Sequence, residues 1–165
     1  MKGKYALVSV WDKEGIETLS LKLAECREIL ATGGTAKYLE EKGVRVKRLS
    51  EITGIKESRT LKTLHPKIFK MIEIGEIDIV VVNLYPFEER PCVENIDVGG
   101  VTLLRAAAKN FDRVLVVSKL SQYKEVIEKF PDVDELREKF ACEAFELVSW
   151  YDRAIAEWFC KSRKR

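Results

Sequence analysis

The sequence predicts one α/β domain over residues 1–165, with a mainly parallel five-stranded sheet and a helical C-terminal appendage. Three observations predict it. Short apolar runs alternate with segments of helical period, the order that right-handed strand–helix–strand crossovers produce. The run Ile77 to Leu84 is β-branched and nearly all apolar, as suits a strand covered on both faces. A chain of 165 residues without linker, repeat or low-complexity stretch is the size of a single domain with its own core.

The elements follow in order. Tyr5 to Val10 reads as a buried strand that stops at Trp11-Asp-Lys-Glu-Gly15. Ile16 to Ala24 carries apolar residues at helical spacing, and Arg27 to Ala31 is a second short strand. Thr32-Gly-Gly-Thr35 leads into a helix to Lys42, which Gly43 caps. Val44 to Leu49 alternates as a third strand, and Ser50 to Pro66 is the least regular stretch. A short helix over Lys67 to Ile74 precedes the Ile77–Leu84 strand. Tyr85-Pro-Phe opens a loop that runs to Asp97, and Gly99 to Lys109 is a Leu- and Ala-rich helix. Arg113 to Ser118 is the fifth strand, Ser121 to Phe130 a helix that Pro131 stops, and Val133 to Phe159 one long apolar-striped helix or two.

Composition removes several function classes. Lys and Arg number 29 against 27 Asp and Glu, too even for a protein that neutralises a phosphate backbone. The basic end, Lys161 to Arg165, reads as a solvated tail, so no nucleic-acid partner is expected. No apolar run reaches the ~18 residues of a membrane span, and Met1 to Tyr5 lacks a signal-peptide pattern, so a cytoplasmic protein without membrane contact is expected. Cys26, Cys92, Cys142 and Cys160 are widely spaced, which fits reduced thiols. With His65 the only histidine, a zinc site built on imidazoles is impossible, and neither metal nor cofactor is expected.

In a parallel sheet, ligands bind beyond the carboxyl ends of the strands, so the residues just after each strand carry the chemistry. Ser9, Trp11, Asp12 and Lys13 follow the first strand. Thr32, Gly33, Gly34 and Thr35 follow the second, where glycines admit a ligand and a helix N-terminus offers free N–H groups. That is a small phosphate cradle, to which Lys13 can add a charge, although the same four residues also make an ordinary strand-to-helix turn. Arg59, Lys62, Thr63 and His65 follow the irregular stretch. They read either as cations that hold an anion and transfer protons or as a solvated basic loop with a structural histidine. Asn83 closes an otherwise apolar strand, and its amide both donates and accepts, as the edge of a purine-like ring requires. Tyr85 is a proton donor or a packed ring. Asp97, before Gly99 and Gly100, is a helix cap or a carboxylate aimed at a ligand.

These segments together resemble a known family. Ser9-Val-Trp-Asp-Lys13, Ala31-Thr-Gly-Gly-Thr35, Lys62-Thr-Leu-His-Pro-Lys67, Val82-Asn-Leu-Tyr-Pro-Phe87 and Glu94-Asn-Ile-Asp-Val-Gly-Gly100 occur in one order, followed by Leu103 to Asn110. In that order they resemble the inosine monophosphate (IMP) cyclohydrolase domain, the N-terminal half of the bifunctional AICAR transformylase/IMP cyclohydrolase of purine synthesis. The Trp-Tyr-Asp-Arg-Ala-Ile-Ala run within Phe145 to Phe159 is similar to the closing helix of that domain. The fold this implies is the methylglyoxal-synthase-like three-layer sandwich. Two departures stand out: Arg59 sits one place from the family's arginine, which aligns with Thr60, and the stretch after Lys67 is shorter than the family's.

The resemblance implies dehydrative closure of 5-formamidoimidazole-4-carboxamide ribotide (FAICAR) to IMP, without metal or cofactor. It implies that Ser9, Lys13, Thr32, Gly33, Gly34 and Thr35 bind the 5′-phosphate. Arg59, Thr63, Asn83, Leu84, Val98, Gly99 and Gly100 then shape the ribose and base pocket. Lys62, Tyr85, Asp97 and Lys109 do the proton transfer and charge stabilisation. Lys109 lies twelve residues after Asp97, about 18 Å along an unbroken helix, so either the helix breaks or the two meet by another route, such as across a dimer interface. The resemblance, to a dimeric family, together with the long apolar C-terminal helix, implies a homodimer with a composite site. A separate protein is expected to transfer the formyl group. Two alternatives remain open on the residues: a non-catalytic allosteric nucleotide- or phosphate-binding module of the same fold, and methylglyoxal synthase, which the single His65 suits poorly.

Overall fold

A computed structural model describes residues 3–55 and 63–162. Five strands are present: β1 (Tyr5–Val10), β2 (Glu28–Ala31), β3 (Val46–Arg48), β4 (Ile77–Asn83) and β5 (Leu115–Val117). The helices between and after them are α1 (Ile16–Ala24), α2 (Gly33–Glu41), α3 (Leu49–Thr53), α4 (Pro66–Glu73), α5 (Gly99–Lys109), α6 (Tyr123–Lys129) and α7 (Arg137–Ser162). The sheet runs β3-β2-β1-β4-β5 and every pair is parallel.

Chain order explains the layers. α1 packs with α2 and α6, and α4 packs with α5, which packs in turn on α7. Right-handed crossovers running outward from β1 in one direction and from β4 in the other put those groups on opposite faces. Both faces of the central strands are therefore covered. Ala6, Leu7 and Val8 of β1 and Val80 of β4 are fully buried. Each such Leu or Val contributes about 1.5–3 kcal/mol by leaving water.

Three boundaries differ from the sequence reading, each for a local reason. The third strand is only three residues long because Leu49 turns into α3, which ends at Gly54 with φ 71 in the left-handed region. That helix lies where an irregular stretch was expected. β5 spans three residues, since this edge strand meets β4 only from Ile79 to Val81. The last segment is one helix of 26 residues, with Phe140, Ala144, Val148 and Tyr151 buried along one stripe.

The far end of the sheet is closed by an ion pair. Arg27 donates to Asp78 through Nε at 2.8 Å and Nη2 at 2.6 Å, both side chains being almost fully buried. The N–H of Gly3 donates to the same carboxylate at 2.8 Å, and a Cβ on Gly3 would lie 2.5 Å from the Asp78 Cγ. This end faces away from the motifs.

Register sets the other end. Val10 lies opposite Asn83 and Val8 opposite Ala31, so the ends of β1, β2 and β4 stand side by side. The chain leaves β1 toward β2 and returns on the other side as β4. The gap between β1 and β4 is thus the switch point where parallel sheets bind ligands.

Candidate active site

Each side of the switch point is built from a strand end and a following turn. On the β1–β2 side, four side chains singled out in the sequence converge. The hydroxyls of Ser9 and Thr32 share a hydrogen bond at 3.2 Å. Thr35, almost wholly buried, accepts from the N–H of Val10 and donates to its carbonyl, both at 3.2 Å. The Lys13 ammonium donates to that same Val10 carbonyl and to the Trp11 carbonyl at 2.9 Å. Lys13 and Thr35 therefore meet at one oxygen, beside the N-terminus of α2. There Gly33 and Gly34 open the helix, and a Cβ added to Gly34 would meet nothing within 4 Å. Open space, helix N–H groups, two threonines and an ammonium together make a surface suited to a phosphate.

Asn83 joins the two sides. Its Oδ1 accepts from the N–H groups of Trp11 at 2.6 Å and Asp12 at 3.0 Å, and its Nδ2 donates to the Asp12 carbonyl at 2.9 Å. The amide is engaged with backbone rather than presented to a ring edge. Tyr123, buried at the start of α6, lies against the same amide. Burial pushes its phenol up to about 12, and the Asn83 hydrogen bond partly offsets that rise. Leu84 and Tyr85 continue from Asn83, and the Tyr85 ring meets Trp11 edge to face at 5.3 Å between centroids. Trp11 is 54% exposed, so this pair forms an aromatic rim over the gap.

The third wall is the start of α5. Asp97 accepts the N–H of Gly100 on Oδ1 at 2.7 Å, and it is the residue that caps this helix. A side chain at either glycine would force its neighbours to shift. A Cβ on Gly100 would lie 2.6 Å from the Asp97 Oδ2, and one on Gly99 would lie 2.6 Å from the hydroxyl of buried Thr63. Thr63, Asp97, Gly99 and Gly100 thus pack closely, while Val98 is 59% exposed beside them.

Two candidates, Arg59 and Lys62, lie outside the described residues. Lys109 is placed clearly. α5 is unbroken, and Lys109 ends it toward the starting ends of the strands, about 15 Å from Gly99. There it is exposed, in the electrostatic reach of Glu73, whose carboxyl Lys70 first, then Lys109 and Arg113, hold below its usual range. The chain does not bring Lys109 to Asp97. His65 caps α4, its Nδ1 accepting from the Lys67 N–H at 3.2 Å.

Three contributors were missed in the sequence. Gln122 accepts from the N–H groups of Ser118 at 2.7 Å and Lys119 at 3.0 Å, and donates to Glu143 on α7 at 2.9 Å. Tyr123 backs Asn83. Tyr151 of α7 accepts the Asp97 N–H at 3.0 Å and donates to the Asn95 carbonyl at 2.8 Å. A signal existed for Tyr151: a tyrosine on the buried stripe of a helix needs a partner for its hydroxyl. A cavity of about 270 Å³ lies between the 83–89 loop, Ser118 and α7, with Leu147, Trp150 and Tyr151 on the helical side. Among the described residues no cluster of His, Cys, Asp and Glu could hold a metal ion, and no helix is long and apolar enough to cross a membrane.

Comparison with known proteins agrees with this architecture. The MGS-like domain model matches residues 19–112, and the model described as AICARFT/IMPCHase bienzyme matches residues 107–165. The bifunctional purine biosynthesis protein PurH of Aquifex aeolicus is 44% identical over 186 aligned positions, covering 94% of this chain and 37% of its own. PurH of Bradyrhizobium diazoefficiens is 40% identical, covering 93% of this chain and 35% of its own. The chain thus spans a little over a third of the length of these relatives. Each alignment is longer than the chain itself, so the relatives carry residues with no counterpart here. A solved structure described as the crystal structure of ForH superposes with TM-score 0.80 at 29% identity, covering 94% of this chain and 96% of that one. The chain belongs to the MGS-like domain family, as a domain of the IMP cyclohydrolase type.

Proposed function

We propose that this domain closes the pyrimidine ring of FAICAR to give IMP and water, in de novo purine biosynthesis. One observation carries the reading: Ser9, Lys13, Thr32 and Thr35 converge on a phosphate-type turn at the ends of β1 and β2, and Tyr85 at the end of β4 meets Trp11 across the switch point. The PurH relatives and the AICARFT/IMPCHase match support it.

In this reaction the carboxamide nitrogen attacks the formyl carbon. The formyl oxygen leaves as water, taking one proton from the carboxamide nitrogen and one from the formamido nitrogen. Nothing is oxidised or reduced. What the site must supply is geometry and proton transfer. The Gly33–Gly34 turn with Ser9, Lys13, Thr32 and Thr35 anchors the 5′-phosphate. Thr63, Leu84, Val98, Gly99 and Gly100 border the ribose and base, with Asn83 holding the β1 turn in place and Arg59 adding a cation. Tyr85 and Asp97, with Lys62, exchange the protons and stabilise the developing oxyanion. Lys109 joins them only across a homodimer interface. The formyl group is supplied by a separate catalytic unit, and the protein works in the cytoplasm.

The test is an ultraviolet assay of purified protein with FAICAR, without added metal, beside Lys62→Ala and Lys109→Ala variants. IMP formation that Lys62→Ala abolishes supports the reading. FAICAR that binds without closing makes the chain a nucleotide-binding module of the same fold. A Lys109→Ala variant with full turnover removes the cross-subunit role.

A further inference from the structure

The candidate site draws its residues from loops at the strand ends, but one of those loops is fixed from a distance. The residues before α5, Asn95 to Asp97, precede a helix whose first turn Asp97 caps. A 3-10 turn over Val93–Asn95 holds its first part, the Ile96 N–H donating to the Val93 carbonyl at 3.1 Å, and the Asp97 N–H lies beyond that ladder. Tyr151 supplies the bond there. Its hydroxyl accepts the Asp97 N–H at 3.0 Å and donates to the Asn95 carbonyl at 2.8 Å, so one oxygen bridges both ends of the Asn95–Asp97 segment. The ring that carries it is 3% exposed and rigidly packed, edge to face with Phe87 at 6.2 Å, and Phe87 meets Trp158 at 5.8 Å. α7 in turn packs along α5 and β5.

We propose that Tyr151 is a positioning residue for the reaction: its hydroxyl sets the Asp97 carboxylate relative to Tyr85, and α7 is thereby part of the working site. This rests on the cyclohydrolase reading. The physical reason is leverage. Asp97 Oδ1 is held by Gly100, and its backbone N–H by Tyr151. With both ends fixed, the second oxygen, Oδ2, keeps a single direction. Without the hydroxyl, the backbone at Asp97 is held only by the turn before it and the cap after it, and the carboxylate samples directions that do not serve proton transfer.

The experiment compares wild type, Tyr151→Phe, Asp97→Asn and the double variant in the FAICAR assay. Tyr151→Phe keeps the ring packed against Phe87 and removes only the oxygen. The expected result is kcat about tenfold lower with KM for FAICAR within about twofold. In the Asp97→Asn background the same change should cost less than about twofold, because its effect runs through Asp97. Unchanged kcat in Tyr151→Phe, or an equal fold-loss in both Asp97 backgrounds, overturns the inference alone. A wild type that makes no IMP overturns the cyclohydrolase reading and the inference with it. Should Tyr151→Phe not fold, amide hydrogen exchange on the wild type decides: strong protection of the Asp97 N–H supports the bridge, and free exchange ends it.

Discussion

Asn83 and Asp12 form a closed ring of two hydrogen bonds, the N–H of Asp12 donating to Oδ1 at 3.0 Å and Nδ2 donating to the Asp12 carbonyl at 2.9 Å. A side-chain amide here imitates a strand neighbour. It continues the β1–β4 pairing beyond the last register position, Val10 opposite Asn83. That clamp sets where the β1 turn, and with it Lys13, stands.

Asn83→Ala should therefore harm the site more than the fold. The freed Trp11 and Asp12 groups are at the surface and find water, while the buried Tyr123 hydroxyl loses one partner, so the stability loss is about 1–3 kcal/mol. Affinity for IMP should fall about tenfold or more, as the β1 turn loses its anchor. Calorimetric titration of IMP beside thermal unfolding checks the split, and equal losses in both would assign Asn83 to the fold alone. Asn83→Asp should not rescue binding, because it sets an oxygen against the Asp12 carbonyl.

The glycines divide into two kinds. Gly34→Ala adds a methyl where nothing stands within 4 Å, so the folded protein should be unchanged or up to about 1 kcal/mol more stable. A loss of IMP binding in that variant would locate the phosphate in the open space. Gly100→Ala instead drives a methyl to 2.6 Å from Asp97 Oδ2, and should lose about 1–3 kcal/mol together with activity. Thermal melts of the two variants, compared with IMP titrations, distinguish them.

Tyr123 gives the fold an alkaline weakness. Its phenol is pushed up to about 12 in the folded state, from 10.0, chiefly by burial. The folded form therefore keeps its proton where the unfolded form has lost it. The stability is fully present below pH 10 and declines as pH rises toward 12, by about 1–3 kcal/mol in all. Tyr123→Phe should flatten that part of the pH–stability curve measured by urea unfolding. An identical decline in the variant would assign the loss to other groups.

The Arg27–Asp78 pair should be costly to break from one side. Asp78→Ala leaves a buried guanidinium and the Gly3 N–H without their acceptor, an expected loss of about 3–5 kcal/mol. Replacing both partners with apolar residues should recover most of it. Since the pair lies at the opposite end of the sheet, IMP affinity measured well below Tm should change less than about twofold in either variant.

Most of the architecture was legible because its causes are local. The apolar run of β4 and the alternation of strands and helices both follow from periodicity within a few residues. So do the Leu- and Ala-rich α5 and the Gly-Gly turns that begin α2 and α5. The edges were less legible. β3 stops where Leu49 turns into α3 and β5 pairs with only the middle of β4, which no window of sequence encodes, and α3 is too short for its period to register.

The amino-acid sequence by itself determined which residue types stand at each strand end and that the strands form a parallel sheet. Ser9, Lys13, Thr32, Thr35, Tyr85 and Asp97 were readable there, because a ligand site in such a sheet lies beyond the carboxyl ends. Only the tertiary structure decided how they are used. It turned the Asn83 amide inward onto Asp12, brought Tyr123 and Tyr151 behind the site from helices that follow it in the chain, and left Lys109 at the far end of an unbroken α5. The physical reason is the range of the interactions. Helix and strand patterns are written at spacings of two to four residues. The bond from Tyr151 to Asp97 spans 54 residues and exists only once α7 has packed against α5.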